Sequence, residues 1–275
     1  MGNVCVWKPS KTAVYSAHLI MEILKEAGLP DGVINLVYCS GPTAADVIFS
    51  HKDFAGIHFT GSTQVFNDIW ATIVKNIDKY RSYPRIVGET GGKDYIFADP
   101  TACPKEVATA IVRGAFEYQG QKCSAASRAY IPANIWPEVE NYVQKDMASI
   151  KVGGVEDFTN FVNAVIDEAS FVKLSNAIDA ANKSEDAEVI IGGHYDMSAG
   201  YFIQPTIIQA FKPDYITMRE ELFGPILTVY VYDPEKVDET LDILDKSSAY
   251  ALTGAIFSKN RANIEEMTER LTHTA

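Results

Sequence analysis

The chain is poor in positive charge. Across 275 residues, 24 lysines and arginines face 36 aspartates and glutamates, a net charge of −12. A face that neutralises nucleic-acid phosphates needs a basic stripe, so no nucleic acid is expected as a partner. Long apolar runs are missing too. No stretch approaches the roughly 18 uninterrupted apolar residues of a membrane span, so no membrane insertion is expected. Cysteine is scarce: Cys5, Cys39, Cys103 and Cys123 are widely spaced, with no Cys-x-x-Cys. Lys8 and Lys11 follow the apolar start instead of preceding it, so the start does not read as an export signal. The cysteines therefore read as free thiols in a reducing compartment. The histidines, His18, His51, His58, His194 and His273, form no His-Glu-x-x-His and no cluster with cysteine. No metal site is expected from them. The fingerprint Gly-x-Gly-x-x-Gly is also absent, which excludes the standard Rossmann phosphate loop.

What remains is an ordinary globular composition, 47% hydrophobic and 22% charged, in a chain long enough for a large core. Apolar runs alternate with helical periodicity. Val4 to Trp7, Val33 to Val37, Gly56 to Phe59 and Ile86-Val87 read as strands. Between them, helices are predicted from Val14 to Leu24, Thr43 to His51 and Thr63 to Asp78. That alternation implies a parallel sheet with right-handed crossovers, so residues 1–90 read as part of a dinucleotide-binding domain. In 91–275 helices are predicted from Pro104 to Tyr118, from Trp136, over Phe171 to Asn182, Pro234 to Lys246 and Asn260 to Leu271. Strands are predicted at Arg128 to Ile131, Val189 to Ile191, Tyr201 to Ile208, Ile226 to Tyr232 and Leu252 to Phe257. The second segment is thus a further α/β layer.

Three local sequences carry chemistry. In Tyr118-Gln119-Gly120-Gln121-Lys122-Cys123-Ser124 the flanks of Cys123 are polar or small, as in an exposed loop. A neighbouring cation such as Lys122 lowers a thiol pKa and raises the thiolate fraction, so Cys123 is a candidate nucleophile. In Val87-Gly88-Glu89-Thr90-Gly91-Gly92-Lys93 a β-branched strand delivers Glu89 to a glycine turn, placing a candidate general base at a sheet edge. Phe59-Thr60-Gly61-Ser62-Thr63 closes a strand and opens a helix. Ser62 there reads as a plain N-cap, or Gly61 and Ser62 as a phosphate seat at a helix N-terminus.

Phosphate seat, base and thiol in this order resemble the aldehyde dehydrogenase superfamily. The Gly-Gln-Lys-Cys-Ser run resembles its branch acting on L-glutamate γ-semialdehyde, the 1-pyrroline-5-carboxylate dehydrogenases. The resemblance implies a partial Rossmann-type cofactor domain (1–90) followed by an α/β catalytic domain (91–275). It implies NAD as cofactor, with Lys8 on the adenosine ribose, Gly61 and Ser62 at the pyrophosphate, Glu221 on the nicotinamide ribose and Phe223 beside the nicotinamide. The last two stand in Glu220-Glu221-Leu222-Phe223-Gly224-Pro225. Lys11 stands where many NAD-preferring members carry an acid, so NADP is not excluded. Lys122 and Ser124 are expected to line a pocket for a short dicarboxylate-like aldehyde. The implied activity is oxidation of glutamate γ-semialdehyde to glutamate in proline catabolism, in a homo-oligomer, mitochondrial in a eukaryote and otherwise cytoplasmic. Against that family the chain reads as a piece lacking the first strand of the cofactor sheet and the end of the catalytic domain. Two alternatives stand beside it: an inactive fragment of such an enzyme, and a cysteine hydrolase pairing Cys123 with a histidine.

Overall fold

The computed structural model describes residues 2–250 and 252–272; His273 lies outside them. The chain divides into two compact units, Met1–Thr90 and Gly91–Ala275.

In the first unit, strand β1 (Cys5–Trp7) pairs in parallel with β2 (Ile34–Leu36). Helix α1 (Val14–Glu26) crosses between them. Helix α2 (Gly41–Ile48) starts on the Ser40 cap, with Pro42 in its first turn, where the missing N–H costs nothing. Strand β3 (Gly56–Thr60) pairs in parallel with β4 (Arg85–Glu89), and helix α3 (Thr63–Lys75) joins them. Strand–helix–strand repetition thus gives parallel pairing, as its periodicity predicts. Among the described residues, however, the strands form two separate two-stranded sheets and not one. Its core is small: Phe49, Phe54 and Ile73, with Tyr80 donating its hydroxyl to the Phe49 carbonyl.

The second unit holds a six-stranded sheet in the order β12-β5-β6-β11-β10-β7. Its strands are β5 (Asp94–Ala98), β6 (Ala126–Pro132), β7 (Ala187–Ile191), β10 (Thr206–Ala210), β11 (Ile226–Tyr232) and β12 (Gly254–Phe257). All pair in parallel except β7, antiparallel to β10. The run Tyr201 to Ile208, read above as one strand, is broken at Gln204-Pro205 into β9 (Phe202–Ile203) and β10; β9 pairs instead with β8 (Tyr195–Asp196). Proline cannot supply the ladder donor a continuous strand would need.

Helices α4 (Pro104–Phe116) and α5 (Trp136–Met147) cover one face. Helices α6 (Glu168–Asn182), α7 (Ile216–Arg219), α8 (Val237–Lys246) and α9 (Arg261–Arg270) complete the unit. Along β5, Ile96 and Ala98 enter one core cluster while Tyr95 and Phe97 enter another. Along β6, Ala129 and Ile131 split from Tyr130 in the same way. A parallel sheet covered on both faces needs this two-sided burial. β5 is missed by periodicity, because a fully buried strand shows no alternation of polar and apolar residues, and the two-residue β8 is missed as well.

Because β12, β5, β6 and β11 run in parallel, the segments that precede them meet at one edge. Gly91–Lys93, Gln121–Ala125, Glu221–Pro225 and Leu252–Thr253 all lie there.

Candidate active site

In the first unit the register sets Thr60 opposite Glu89, and Gly61 N donates to the Glu89 carbonyl at 3.0 Å. The candidate base and the candidate phosphate loop therefore leave adjacent strands side by side. The Glu89 side chain is exposed at the end of β4. Ser62 caps α3, its Oγ accepting from Val65 N at 3.3 Å. The cap reading of Ser62 thus holds, and it leaves the terminus polar and positive. Thr63 Oγ1 is buried there without a hydrogen-bond partner. A group rich in acceptor oxygens fits that terminus. Lys8 follows β1, in the other sheet of this unit, and its ammonium donates to the Pro9 carbonyl at 2.7 Å.

In the second unit α4 ends in an unusual turn. Tyr118 and Gln119 have φ of 55° and 57°, and Gly120 follows at 63°. Three consecutive left-handed residues reverse the chain, at a cost of order 1–3 kcal/mol for each non-glycine residue. The Gln119 side chain is buried and its Oε1 accepts from Asn163 N at 3.0 Å, holding the turn from inside. A Cβ on Gly120 would stand 2.5 Å from the Gly224 carbonyl oxygen. Only glycine permits that approach, which lays the base of the cysteine loop against the Glu221–Pro225 turn.

Cys123 is exposed, between Lys122 and Ser124. The Lys122 ammonium, expected to face the thiol, is instead bound by Glu117 Oε2 at 2.7 Å, and Arg113 takes the other oxygen. That pair holds the Glu117 carboxyl below the usual range. Glu221 is half-buried, its Oε1 accepting from Phe223 N at 2.8 Å; Phe223 has φ of 57°. A Cβ on Gly91 would lie 3.3 Å from Glu221 Cγ, so Gly91 sits directly against this carboxylate arm. Cys123, Glu221 and Phe223 are thus brought to one edge with the Gly91-Gly92 turn.

Residues that pattern analysis passed over fill the space behind them. Lys93 is 1% exposed, and burial pushes its ammonium down to about 8, with the Glu221 carboxylate opposing that shift. Asp94 is 2% exposed; burial pushes it up to about 6, against the hydrogen bond from Thr253 N. Burial likewise raises Glu221, while Lys93 and Lys173 pull it down. Arg128, also buried, donates from Nε to the Lys93 carbonyl at 2.8 Å and reaches the Tyr130 and Ser247 hydroxyls. The available signal was a lysine and an aspartate opening the apolar run Tyr95–Ala98. No groups of three or more His, Cys, Asp or Glu able to hold a metal ion occur among the described residues. No helix among them is long and apolar enough to cross a membrane.

The aldehyde dehydrogenase family profile matches residues 1–274. The mitochondrial delta-1-pyrroline-5-carboxylate dehydrogenase of Dictyostelium discoideum is 49% identical over 277 residues, which take in all of this chain and 50% of that protein. The human mitochondrial enzyme of the same name is 41% identical over 276 residues, 49% of its length. Among solved structures, the delta-pyrroline-5-carboxylate dehydrogenase of Mycobacterium tuberculosis bound with NAD is 43% identical, with a TM-score of 0.93 over 100% of this chain and 50% of that one. The chain spans about half the length of the curated relatives it matches. It belongs to the aldehyde dehydrogenase family.

Proposed function

We propose that this chain carries the thiol and base of an NAD-dependent oxidation of L-glutamate γ-semialdehyde to L-glutamate. The observation that carries the reading is the loop of Cys123, exposed at the strand-start edge and braced through Gly120 on the Glu221–Phe223 turn. The Cys123 thiolate adds to the aldehyde carbon and forms a thiohemiacetal. NAD, when bound, supplies the hydride acceptor. Gly61, Ser62 and the α3 terminus would hold its pyrophosphate, and Lys8, Glu221 and Phe223 would hold its ribose hydroxyls and nicotinamide as the family resemblance implies. With the carbon-bound hydride taken by that acceptor and the hydroxyl proton released to water, a thioester would remain on Cys123. Glu89 takes a proton from water, the hydroxide attacks the thioester carbon, and glutamate departs as the thiolate is restored. Lys122 and Ser124 border the aldehyde. The NAD-bound relative favours NAD over NADP despite Lys11. The mitochondrial names of relatives favour a mitochondrial site in a eukaryotic source.

The test is NADH formation from glutamate γ-semialdehyde by the purified chain. It is expected to vanish in Cys123→Ser, whereas Glu89→Gln keeps the first-turnover burst and slows later turnovers. Turnover surviving in Cys123→Ser overturns the reading, and ester cleavage alone does not decide it. A second reading, a fragment without turnover, is favoured by the apolar side chains left exposed in the first unit, among them Val4, Tyr15, Ile23, Trp70 and Tyr83. It predicts thiol labelling of Cys123 without NADH.

A further inference from the structure

One buried group at the strand-start edge has no use in the chemistry above. Asp94 opens β5 with both carboxyl oxygens out of water. Oδ1 accepts from Thr253 N at 2.8 Å, while Oδ2 is buried without a partner. Leaving a buried carboxylate oxygen unpaired is costly, so it calls for a proton or a donor. An acceptor faces the same gap. The point where a Cβ on Gly92 would stand is 2.6 Å from the Cys123 carbonyl oxygen, 2.7 Å from Asp94 Oδ1 and 2.8 Å from Oδ2. Three oxygens thus crowd the space that Gly92 leaves open, and a side chain at residue 92 would drive them apart. The Cys123 carbonyl oxygen and Asp94 Oδ2 both face this one gap, and a protonated carboxyl group can place a hydrogen between them.

We propose that Asp94 is a positioning residue for the nucleophile: its carboxyl group donates from Oδ2 to the Cys123 carbonyl while accepting at Oδ1 from Thr253, pinning the cysteine loop to the start of β5. The groups facing it agree with that protonation. Glu221, from the turn before β11, disfavours a second negative charge. Arg128 of β6 and Lys93 pull the other way, but Arg128 is spent on the Lys93 carbonyl and on two hydroxyls, and burial outweighs both. Burial holds the group up to about 6, so the tether is closed below that pH and opens as the carboxyl ionises above it. The nucleophile loop would then be held more firmly in mild acid than in mild base. The proposal rests on the proposed function only for calling Cys123 the nucleophile.

Amide hydrogen exchange of the intact chain tests the tether without any turnover. Protection over Gln121–Ala125, corrected for intrinsic rates, is compared at pH 5 and pH 8 in wild type, Asp94→Asn and Asp94→Ala. The asparagine amide keeps both contacts at every pH: Nδ2 donates to Cys123 and Oδ1 accepts from Thr253. The expected result is about tenfold greater protection at pH 5 than at pH 8 in wild type. Asp94→Asn should be equally protected at both pH values, and Asp94→Ala should be weak at both. Equal protection of wild type at pH 5 and 8, or Asp94→Asn as weak as Asp94→Ala, overturns the proposal. Exchange of the β7 amides, four places from β5 in the sheet order, shows whether Asp94→Ala merely loosens the whole unit; the asparagine variant then decides. Iodoacetamide labelling of Cys123 against Cys5, Cys39 and Cys103 tests the nucleophile reading separately, so the two can fail independently.

Discussion

The two units use the same alternation of strand and helix and reach different outcomes. In residues 91–272 the sheet is six strands wide, and Ile96, Ile131 and Tyr130 find neighbours on both faces. In residues 2–90 the strands pair two by two, and only Ala17, Met21, Phe49, Phe54 and Ile73 are buried apolar side chains among the described residues. Helix α1 shows why. Its apolar positions recur at helical spacing, yet Val14, Leu19, Ile20 and Ile23 remain exposed while Ala17 and Met21 are covered. Periodicity fixes that a helix forms and which stripe is apolar, but burial needs a second surface to receive that stripe. The candidate residues of the two units therefore rest on supports of unequal strength. Cys123, Glu221 and Phe223 stand on a wide core, whereas Glu89, Gly61 and Ser62 stand on a two-stranded ribbon, a form that is marginal by itself.

The comparison predicts its largest effect in local stability. Amides of β3 and β4 should exchange about 10³-fold faster than those of β6 and β11, a difference of about 4 kcal/mol in opening free energy. Exchange read by mass spectrometry at neutral pH checks it. Equal protection in the two units would show that exposed apolar area is no guide to stability in this chain. NAD at saturating concentration should narrow the gap by stabilising the phosphate loop of the first unit.

Legibility in the sequence followed the same divide between local and non-local causes. Ser62 as a cap and the parallel β3–β4 pair are consequences of short-range rules. The thiol, the base and the Glu-Glu-x-Phe-Gly-Pro turn stood out because their flanking glycines and polar residues break apolar runs. Three things could not be read in that way. β5 lacks alternation because both its faces are buried. The left-handed Tyr118–Gln119 pair carries no glycine to announce it, being held by the distant Asn163. Lys122 was assigned to the thiol beside it, but Glu117, five positions back, claims it once α4 ends in that turn. In each case the deciding partner is remote in sequence or revealed only by the fold.

A smaller effect separates the units by pH. Burial holds Lys93 down to about 8. Between pH 8 and the ordinary lysine value of about 10.4, the unfolded chain therefore binds more protons than the folded one. This group's contribution thus rises with pH across that window and is lost as pH falls through 8. The span of the shift corresponds to roughly 3 kcal/mol. Lys93→Met should remove that rise from the second unit and leave the first unit's profile unchanged. Denaturant midpoints of each unit at pH 7 and pH 10, read as differences between variant and wild type, decide it. The same slope in both proteins would mean that Lys93 reaches water and carries no such penalty.

The smallest effect bears on the thiol itself. Cys5, Cys39 and Cys123 are all exposed, so accessibility alone does not single out Cys123. Its distinguishing neighbour is Lys122, and that ammonium is paired with Glu117, a contact half open to water. Exposed pairs of this kind are worth about 0–1 kcal/mol, so breaking one barely alters the fold. Its consequence is directional. Glu117→Gln leaves an amide that can still accept a hydrogen bond but no longer holds a positive charge. Lys122 is then free to turn toward the adjacent thiolate and stabilise it. Iodoacetamide labelling of Cys123 at pH 7 should rise about two- to fivefold, the range that up to 1 kcal/mol allows. Labelling of Cys5 and Cys39, both in the first unit, should not move. Arg113→Gln, which loosens the same carboxylate from the α4 side, should change the Cys123 rate less, because it leaves the Lys122–Glu117 pair intact. Unchanged or slower labelling in Glu117→Gln would show that Lys122 does not act on the thiol. The reactivity of Cys123 would then have to come from the backbone setting of its loop, in which Tyr118 and Gln119 are left-handed.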